Sequence, residues 1–278
     1  MKTTKILLII LTLLTFGAHA QSIYVRAGLG ASICTAPHMQ YQLTYITNNG
    51  TENTEEAKRG GLGSGLPFVA AAGYYFGEHF GVELGVDYFL GFPNKIVDNT
   101  QGSISTRKLS GDMLSLVPAF VMKFDAGKVK PYARLGIIIG VLNSAKTVNV
   151  MSGTSSGAKL LPYFGSGDFT AKDYGGIAIG AQAAVGAELP LNNLLSLFGE
   201  VNLNGISWSP AKGKYTKYSE NGVDVLGNMT TRDKSWVYVK KLDLTETIPD
   251  SDPEKYKKIN YSFANVGLIV GVKINFGK

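Results

Sequence analysis

The sequence predicts an all-β fold, a transmembrane antiparallel up-and-down β-barrel of eight strands, with short turns at one end and long loops at the other. Three observations predict it. Residues 73–88 read GYYFGEHFGVELGVDY, in which Phe80, Val82, Leu84 and Val86 alternate with Gly81, Glu83, Gly85 and Asp87. A period of two belongs to a strand, and here it sets a bare aliphatic stripe against a face with two carboxylates. In a soluble sheet such a stripe faces a core, and in a membrane barrel it faces lipid. The second observation is the start of the chain, MKTTKILLIILTLLTFGAHA, with Lys2 and Lys5, an apolar run from Ile6 to Phe16 and small residues at Ala18 and Ala20. That is the pattern of a secretory signal, too short to span a bilayer comfortably. The third is composition: 34 glycines, 10% aromatic and 17% charged residues, with a mean hydropathy of +0.07. Yet nothing after the leader is long and apolar enough for a membrane helix. The nearest stretch, IAIGAQAAVGAEL, is alternating, Gly-rich and closed by Glu188 and Pro190.

Taken in order, residues 1–20 are the expected signal peptide and 21–278 one barrel domain beginning at Gln21. Eight alternating runs follow. They are SIYVRAGLGASI (22–33), LPFVAAAGYYF (66–76), FGVELGVDYFLGF (80–92), LSLVPAFVMKF (114–124), PYARLGIIIGVLN (131–143), GIAIGAQAAVGAEL (176–189), LLSLFGEVNLNGISW (194–208) and NYSFANVGLIVGVKINF (260–276). Each reaches the roughly 9–11 residues that a tilted strand needs to cross the hydrocarbon. The connectors alternate in length: GEH, DAGKVK and PLNN are tight, whereas 34–65, 93–113, 144–175 and 209–259 are long. Strict short–long alternation is the pattern of a membrane barrel, and a soluble sandwich gives no reason for it.

A closed barrel satisfies every backbone polar group without an edge, so its outer stripe is free to be apolar. The interior of an eight-stranded barrel is only wide enough to be filled by side chains. By alternation, Arg26, Glu83, Asp87, Lys123, Arg134, Glu188, Glu200 and Lys273 point inward, four acids against four bases. Buried charges persist when they are paired. Arg26, Glu83, Arg134, Glu200 and Lys273 lie at comparable distances from the short-turn ends and are expected to share one layer. Glu83 is expected to pair with Arg134 or Arg26. Gly85, Asn202 and Gly271, off the lipid face, are expected to take alanine with little loss.

GYYFGEHFGVELGVDY, KPYARLGIIIG, GAELPLNNLLSLFGEVNLN and the terminal VGVKINF together resemble the small outer-membrane barrels of the OmpA transmembrane-domain and OmpX type. The resemblance covers the strands of the whole mature chain and stops in the loops. It implies the outer membrane, periplasmic short turns, variable extracellular loops, a polar interior and an ion network at the positions of Glu83, Arg134 and Glu200. It differs in that Gly277 and Lys278 follow Phe276, where the family often ends on the Phe itself. No cell-wall-binding domain is expected after the barrel, so a tethering role is not carried over.

Other features read plainly. GGLGSG (60–65) lacks the Lys and helix of a phosphate loop. His38 and Cys34 sit toward the outer rim, but no carboxylate is spaced to orient His38 as a catalytic base. His79 falls in a short turn. These two histidines make no metal site, and no cofactor is expected. The formal charge of +6 is mixed in sign and gives nucleic-acid binding no support. One cysteine, Cys34, makes no disulfide framework. In 209–259, KGKYTKYSENGVDVL and SWVYVKKLDLTE alternate, but Lys240, Lys241 and Asp243 interrupt the lipid band, so strands above the membrane are expected. The lysines of that loop read as a solvated face.

The functional expectation is a non-enzymatic structural or surface-interaction protein, an adhesin-like anchor whose loops meet a host or matrix ligand. The alternative is a small conduit, OmpW-like, in which Pro118 loosens the wall for apolar solutes. Expected partners are outer-membrane lipid and the barrel insertion machinery, for a chain expected to be monomeric.

Overall fold

The structure, a computed structural model, describes residues 22–35, 44–48, 52–56, 61–100, 103–152 and 167–276. The expected leader (1–20), Gln21, His38, Gly277 and Lys278 lie outside the described residues. In chain order the strands are β1 (Ser22–Cys34), β2 (Thr44–Asn48), β3 (Glu52–Glu56), β4 (Gly65–Tyr75), β5 (Phe80–Gly91), β6 (Asn94–Thr100), β7 (Ser103–Lys123), β8 (Lys130–Ser152), β9 (Asp168–Tyr174), β10 (Ala178–Pro190), β11 (Leu195–Trp208), β12 (Lys212–Glu220), β13 (Val223–Asp224), β14 (Ser235–Val239), β15 (Glu254–Lys257), β16 (Tyr261–Ser262) and β17 (Asn265–Phe276).

Eight of these close a barrel in the order β1–β4–β5–β7–β8–β10–β11–β17, every neighbouring pair antiparallel. The seam between β1 and β17 runs from Ile23 opposite Phe276 to Cys34 opposite Asn265. Closure leaves no free edge, so the wall pairs its backbone all round apart from a short break between β7 and β8 at Val117 and Pro118. The alternating aliphatics are exposed outward: Val82, Leu84, Leu135, Ile137, Leu268 and Val270 are each 49% accessible or more. Lipid covers that surface, and burial there stabilises the barrel as a core would in water.

Turn chemistry fixes the short ends. Asp125 Oδ1 accepts the Gly127 N–H at 3.2 Å, and Gly127 holds a φ of +80° that other residues resist. Asn192 Oδ1 accepts the N–H groups of Leu194 and Leu195 at 2.9 and 2.7 Å.

The upper half departs from the sequence expectation. The described parts of the segments read as loops 93–113 and 144–175 are largely strand: β7 and β8 are 21 and 23 residues long and rise well past the lipid band. Above the barrel they continue into a sheet ordered β6–β7–β8–β9–β12–β14–β15, antiparallel except for β14 against β15. The two alternating runs of 209–259 belong to this sheet and not to the barrel wall. The last run is shorter than expected, since β17 starts at Asn265 and the chain before it forms only β16.

A bulge between β7 and β8 pairs Leu114 with Leu142 but Ser115 with Gly140. The extra residue inverts the inward set of β8. Tyr132, Arg134 and Ile138 face in below it; Asn143, Ala145 and Thr147 face in above. Val141 and Leu142 are both left exposed.

Candidate functional site

Four of the charges expected inside form a closed ring. Arg26 straddles Glu83, Nε to Oε2 and Nη2 to Oε1, both at 2.9 Å, and reaches Glu200 Oε2 through Nη1 at 3.2 Å. Arg134 donates to Glu83 Oε1 and Glu200 Oε1, each at 2.7 Å. All four side chains are 5% accessible or less. Glu83 thus touches both arginines rather than choosing one.

The ring follows from barrel geometry. Its members sit on β1, β5, β8 and β11, alternate strands of the wall, with signs alternating around the lumen. Three of the four intervening strands supply small partners at the same height, Ala71 opposite Arg26, Ala119 opposite Glu83 and Ala184 opposite Arg134, while β17 sets Ile269 opposite Glu200. Those alanines leave the lumen open for four long side chains. Two tyrosines complete the acceptors, Tyr24 to Glu83 Oε2 at 2.9 Å and Tyr132 to Glu200 Oε2 at 2.7 Å. Tyr24 fits because Gly73 faces it: a Cβ there would lie 2.2 Å from Tyr24 Cζ.

Lys273 is not in this layer. It stands opposite Arg26 in the seam, and like charges there repel. Its Nζ turns instead to Glu188 Oε1 at 2.6 Å and lies over the rings of Tyr24 and Tyr75 at 3.9 and 4.8 Å. Lys123 caps the Tyr75 ring at 4.5 Å and, with Glu188, lines a mouth-side vestibule of about 700 Å³. His79, exposed, lines the same vestibule. Asp87 is the outlier: its nearest polar partner is the Gln182 amide at 3.5 Å, and it joins no ion pair among the described residues. The eight charges thus divide into a ring of four, a pair below it, Lys123 near the mouth and Asp87 above.

Above the ring, Gln182 donates to Asn204 at 3.1 Å and Asn204 to Asn265 at 2.9 Å. Higher still the lumen is apolar, filled by Leu62, Met113, Val117, Ile138, Trp208 and Phe263. Sequence reading missed this plug, since Leu62 comes from a segment read as loop and Phe263, read as part of the last barrel run, lies ahead of β17. It also missed Asp173 in the upper sheet. That carboxylate accepts Trp236 Nε1 and Tyr238 OH at 2.9 Å and Tyr261 OH at 2.7 Å. Burial pushes it above the usual carboxylate range, against the lowering effect of these three donors.

Gly271 corrects another expectation. A Cβ there would stand 2.1 Å from the Ala27 carbonyl oxygen, so alanine is not tolerated freely, whereas at Gly85 the nearest atom is 3.4 Å away. Asn202 is 2% accessible, so its replacement is no surface change either. Cys34 is a free, half-buried thiol. Among the described residues no three His, Cys, Asp or Glu converge as metal ligands.

A closed eight-stranded wall, aliphatic outside and ion-paired inside, defines a membrane barrel of the outer-membrane class. The chain belongs to the outer membrane protein beta-barrel domain family, whose profile matches residues 6–214. It is an outer-membrane protein. No curated protein matches it by sequence. Among solved structures it is similar to OprG from Pseudomonas aeruginosa, at 13% identity and a TM-score of 0.45 over 94% of this chain and 99% of that one. It is also similar to a major outer membrane protein from Thermus thermophilus, at 14% and 0.45 over 93% and 100%, and to Outer Membrane Protein W of E. coli, at 15% and 0.35 over 94% and 100%.

Proposed function

We propose that this protein is a non-enzymatic surface anchor, an adhesin-like barrel whose extracellular sheet and loops meet a host or matrix ligand. The observation that carries it is the filled lumen. The ring at Glu83 and Glu200, the Lys273–Glu188 pair below and the apolar plug above leave no continuous polar path through the barrel. The upper sheet supports the same reading. Its strands pack Phe169, Tyr215, Tyr218 and Trp236 into an aromatic cluster of its own, and the Asp173 node ties three strands together. That makes a firm platform, and binding residues sit on loops that a rigid scaffold holds. Cells carrying the chain should adhere to an extracellular-matrix or host-cell surface, and replacing 212–257 by a short turn should abolish that adhesion while leaving the barrel inserted. Equal adhesion with and without the segment would reject the reading.

A second reading has one specific support. The ladder between β7 and β8 is interrupted at Val117 and Pro118, between the pairs Leu116–Ile139 and Ala119–Gly136. Proline donates no hydrogen bond, and a depression at this break is lined by Pro118, Ile137 and Glu83. A conduit for small apolar solutes would leave through this weak point. Pro118→Ala should then slow uptake of such solutes severalfold; unchanged uptake rejects the conduit.

A further inference from the structure

The outer face of the upper sheet carries lysines in direct register. Lys146 on β8 stands opposite Lys172 on β9, and Lys172 stands opposite Lys214 on β12. One row further from the membrane, Lys95 on β6 faces Lys108 on β7. One row nearer, Lys212 lies opposite Tyr174 and over its ring at 5.2 Å. These side chains are exposed, and no ion pair among the described residues reaches them. Like charges directly opposite one another destabilise a sheet, so the alignment demands a compensating anion. Among the described strands three acids share the face, and each accepts a backbone N–H; Asp224 on β13, opposite Ser219, accepts that of Leu226 at 3.0 Å. Asp112, half-buried, accepts the Gly91 N–H at the membrane-ward edge. Asp168, at the far end of β9, accepts the Met151 N–H at 2.7 Å.

The height of the row identifies the anion. Leu114 and Leu142 are the paired outward aliphatics at the bulge, and Lys146 follows Leu142 by four residues. At roughly 3.3 Å per residue along a tilted strand, that is about 10 Å above the lipid band. The polar layer of a bilayer adds about 5–8 Å per leaflet beyond the hydrocarbon, and lysine stems reach down toward it. Lys172, Lys214 and Tyr174 line one concavity with Leu114, Leu142, Tyr88 and, at its membrane-ward end, the single carboxylate of Asp112. That concavity therefore runs from aliphatic wall to ammonium groups, the two chemistries of an acyl chain and its phosphorylated headgroup.

We propose that Lys146, Lys172 and Lys214 bind the phosphate groups of outer-leaflet glycolipid, seating one phosphorylated lipid against the β8–β9–β12 wall. Lys214, one of the lysines of 209–259 expected from the sequence to be merely solvated, is thus set by the sheet in one row with Lys172 and Lys146. The proposal rests on the same outward assignment of the upper sheet as the proposed function, but not on any host or matrix ligand.

The test uses the full folded chain in detergent, titrated with bisphosphorylated lipid A and read by native mass spectrometry. Each lysine near a membrane surface contributes about fivefold in affinity, so Lys146→Gln/Lys172→Gln/Lys214→Gln should weaken retention by about 100-fold. A charge-matched control, Lys128→Gln/Lys130→Gln/Lys241→Gln, should retain lipid as wild type does. The triple arginine variant at 146, 172 and 214 should restore binding, which separates charge from a folding defect. Wild type should hold dephosphorylated lipid A far more weakly, and inorganic phosphate at millimolar concentration should not displace the phosphorylated form. Equal retention by the triple glutamine variant, equal binding of dephosphorylated lipid, or ready displacement by inorganic phosphate would each overturn the proposal, the last by assigning the row to free anion. Loss of matrix adhesion in cells has no bearing on any of these readouts.

Discussion

Glu83→Gln is the sharpest perturbation of the barrel interior. The Glu83 carboxylate accepts four hydrogen bonds, two from Arg26, one from Arg134 and one from Tyr24. The amide keeps the shape but removes the charge, and its NH2 aims a donor at guanidinium donors. The ring then holds two arginines against Glu200 alone. Stranding a charge in a buried network costs about 3–5 kcal/mol. With a urea slope of roughly 2 kcal/mol/M, the unfolding midpoint in lipid or detergent should fall by about 2 M. Adding Arg134→Gln restores neutrality, leaving Arg26 with Glu200 at 3.2 Å, and should recover part of the loss. Glu83→Gln with Arg26→Gln should recover as well, since Arg134 still holds Glu200 at 2.7 Å. The double-mutant cycle reads the coupling directly. Strictly additive losses in both cycles would refute the ring as an energetic unit, whatever its geometry.

Outward arginines at Leu84, Leu197 or Val270 should each lower stability in lipid by roughly 2–4 kcal/mol, while Gly85→Ala should change it little; equal effects measured by urea titration would mean the register is wrong. Gly271→Ala should be as damaging as an outward charge, because its Cβ meets the Ala27 carbonyl, and a wild-type midpoint would contradict the close approach. Protease added to intact cells should cut within 34–65, 144–175 or 209–259 and spare the barrel; cleavage confined to the short turns would invert the topology. The Asp173 carboxyl is held above its unfolded value by burial, so the folded state binds more protons than the unfolded state across the interval between the two. Stability of the upper sheet should therefore be greatest in acid and fall as pH rises through the carboxylate range, then level off, as followed by Trp236 fluorescence. Asp173→Asn should flatten that dependence, and a rise with pH in the wild type would reject the burial argument.

The barrel was legible because alternation is local: Phe80 to Asp87 declare both faces within eight residues. The inward charges were legible for the same reason, and Tyr24 and Tyr132 carried the signal too, two residues before Arg26 and Arg134. What alternation does not give is height. Lys273 and Arg26 are opposite in the seam, yet tyrosine rings and Glu188 draw the lysine down a layer. The bulge at Leu142 was hidden because GIIIGVLN keeps apolar residues on both sides of the slip. The strands of 209–259 above the membrane were legible from their alternation, but those of 93–113 and 144–175 were hidden, because polar strands above a membrane bury one face against one another and none against lipid. Gly271 was misjudged because close approach across a seam depends on a strand more than two hundred residues away.

The central claim is that the lumen is closed. Purified protein should be inserted into a planar bilayer and its current recorded at fixed potential. The wild type should show no steady unitary conductance, and Glu83→Gln, whose ring has lost a carboxylate, should show intermittent openings. A wild-type barrel that conducts in discrete, sustained steps would contradict the plug and make the protein a channel.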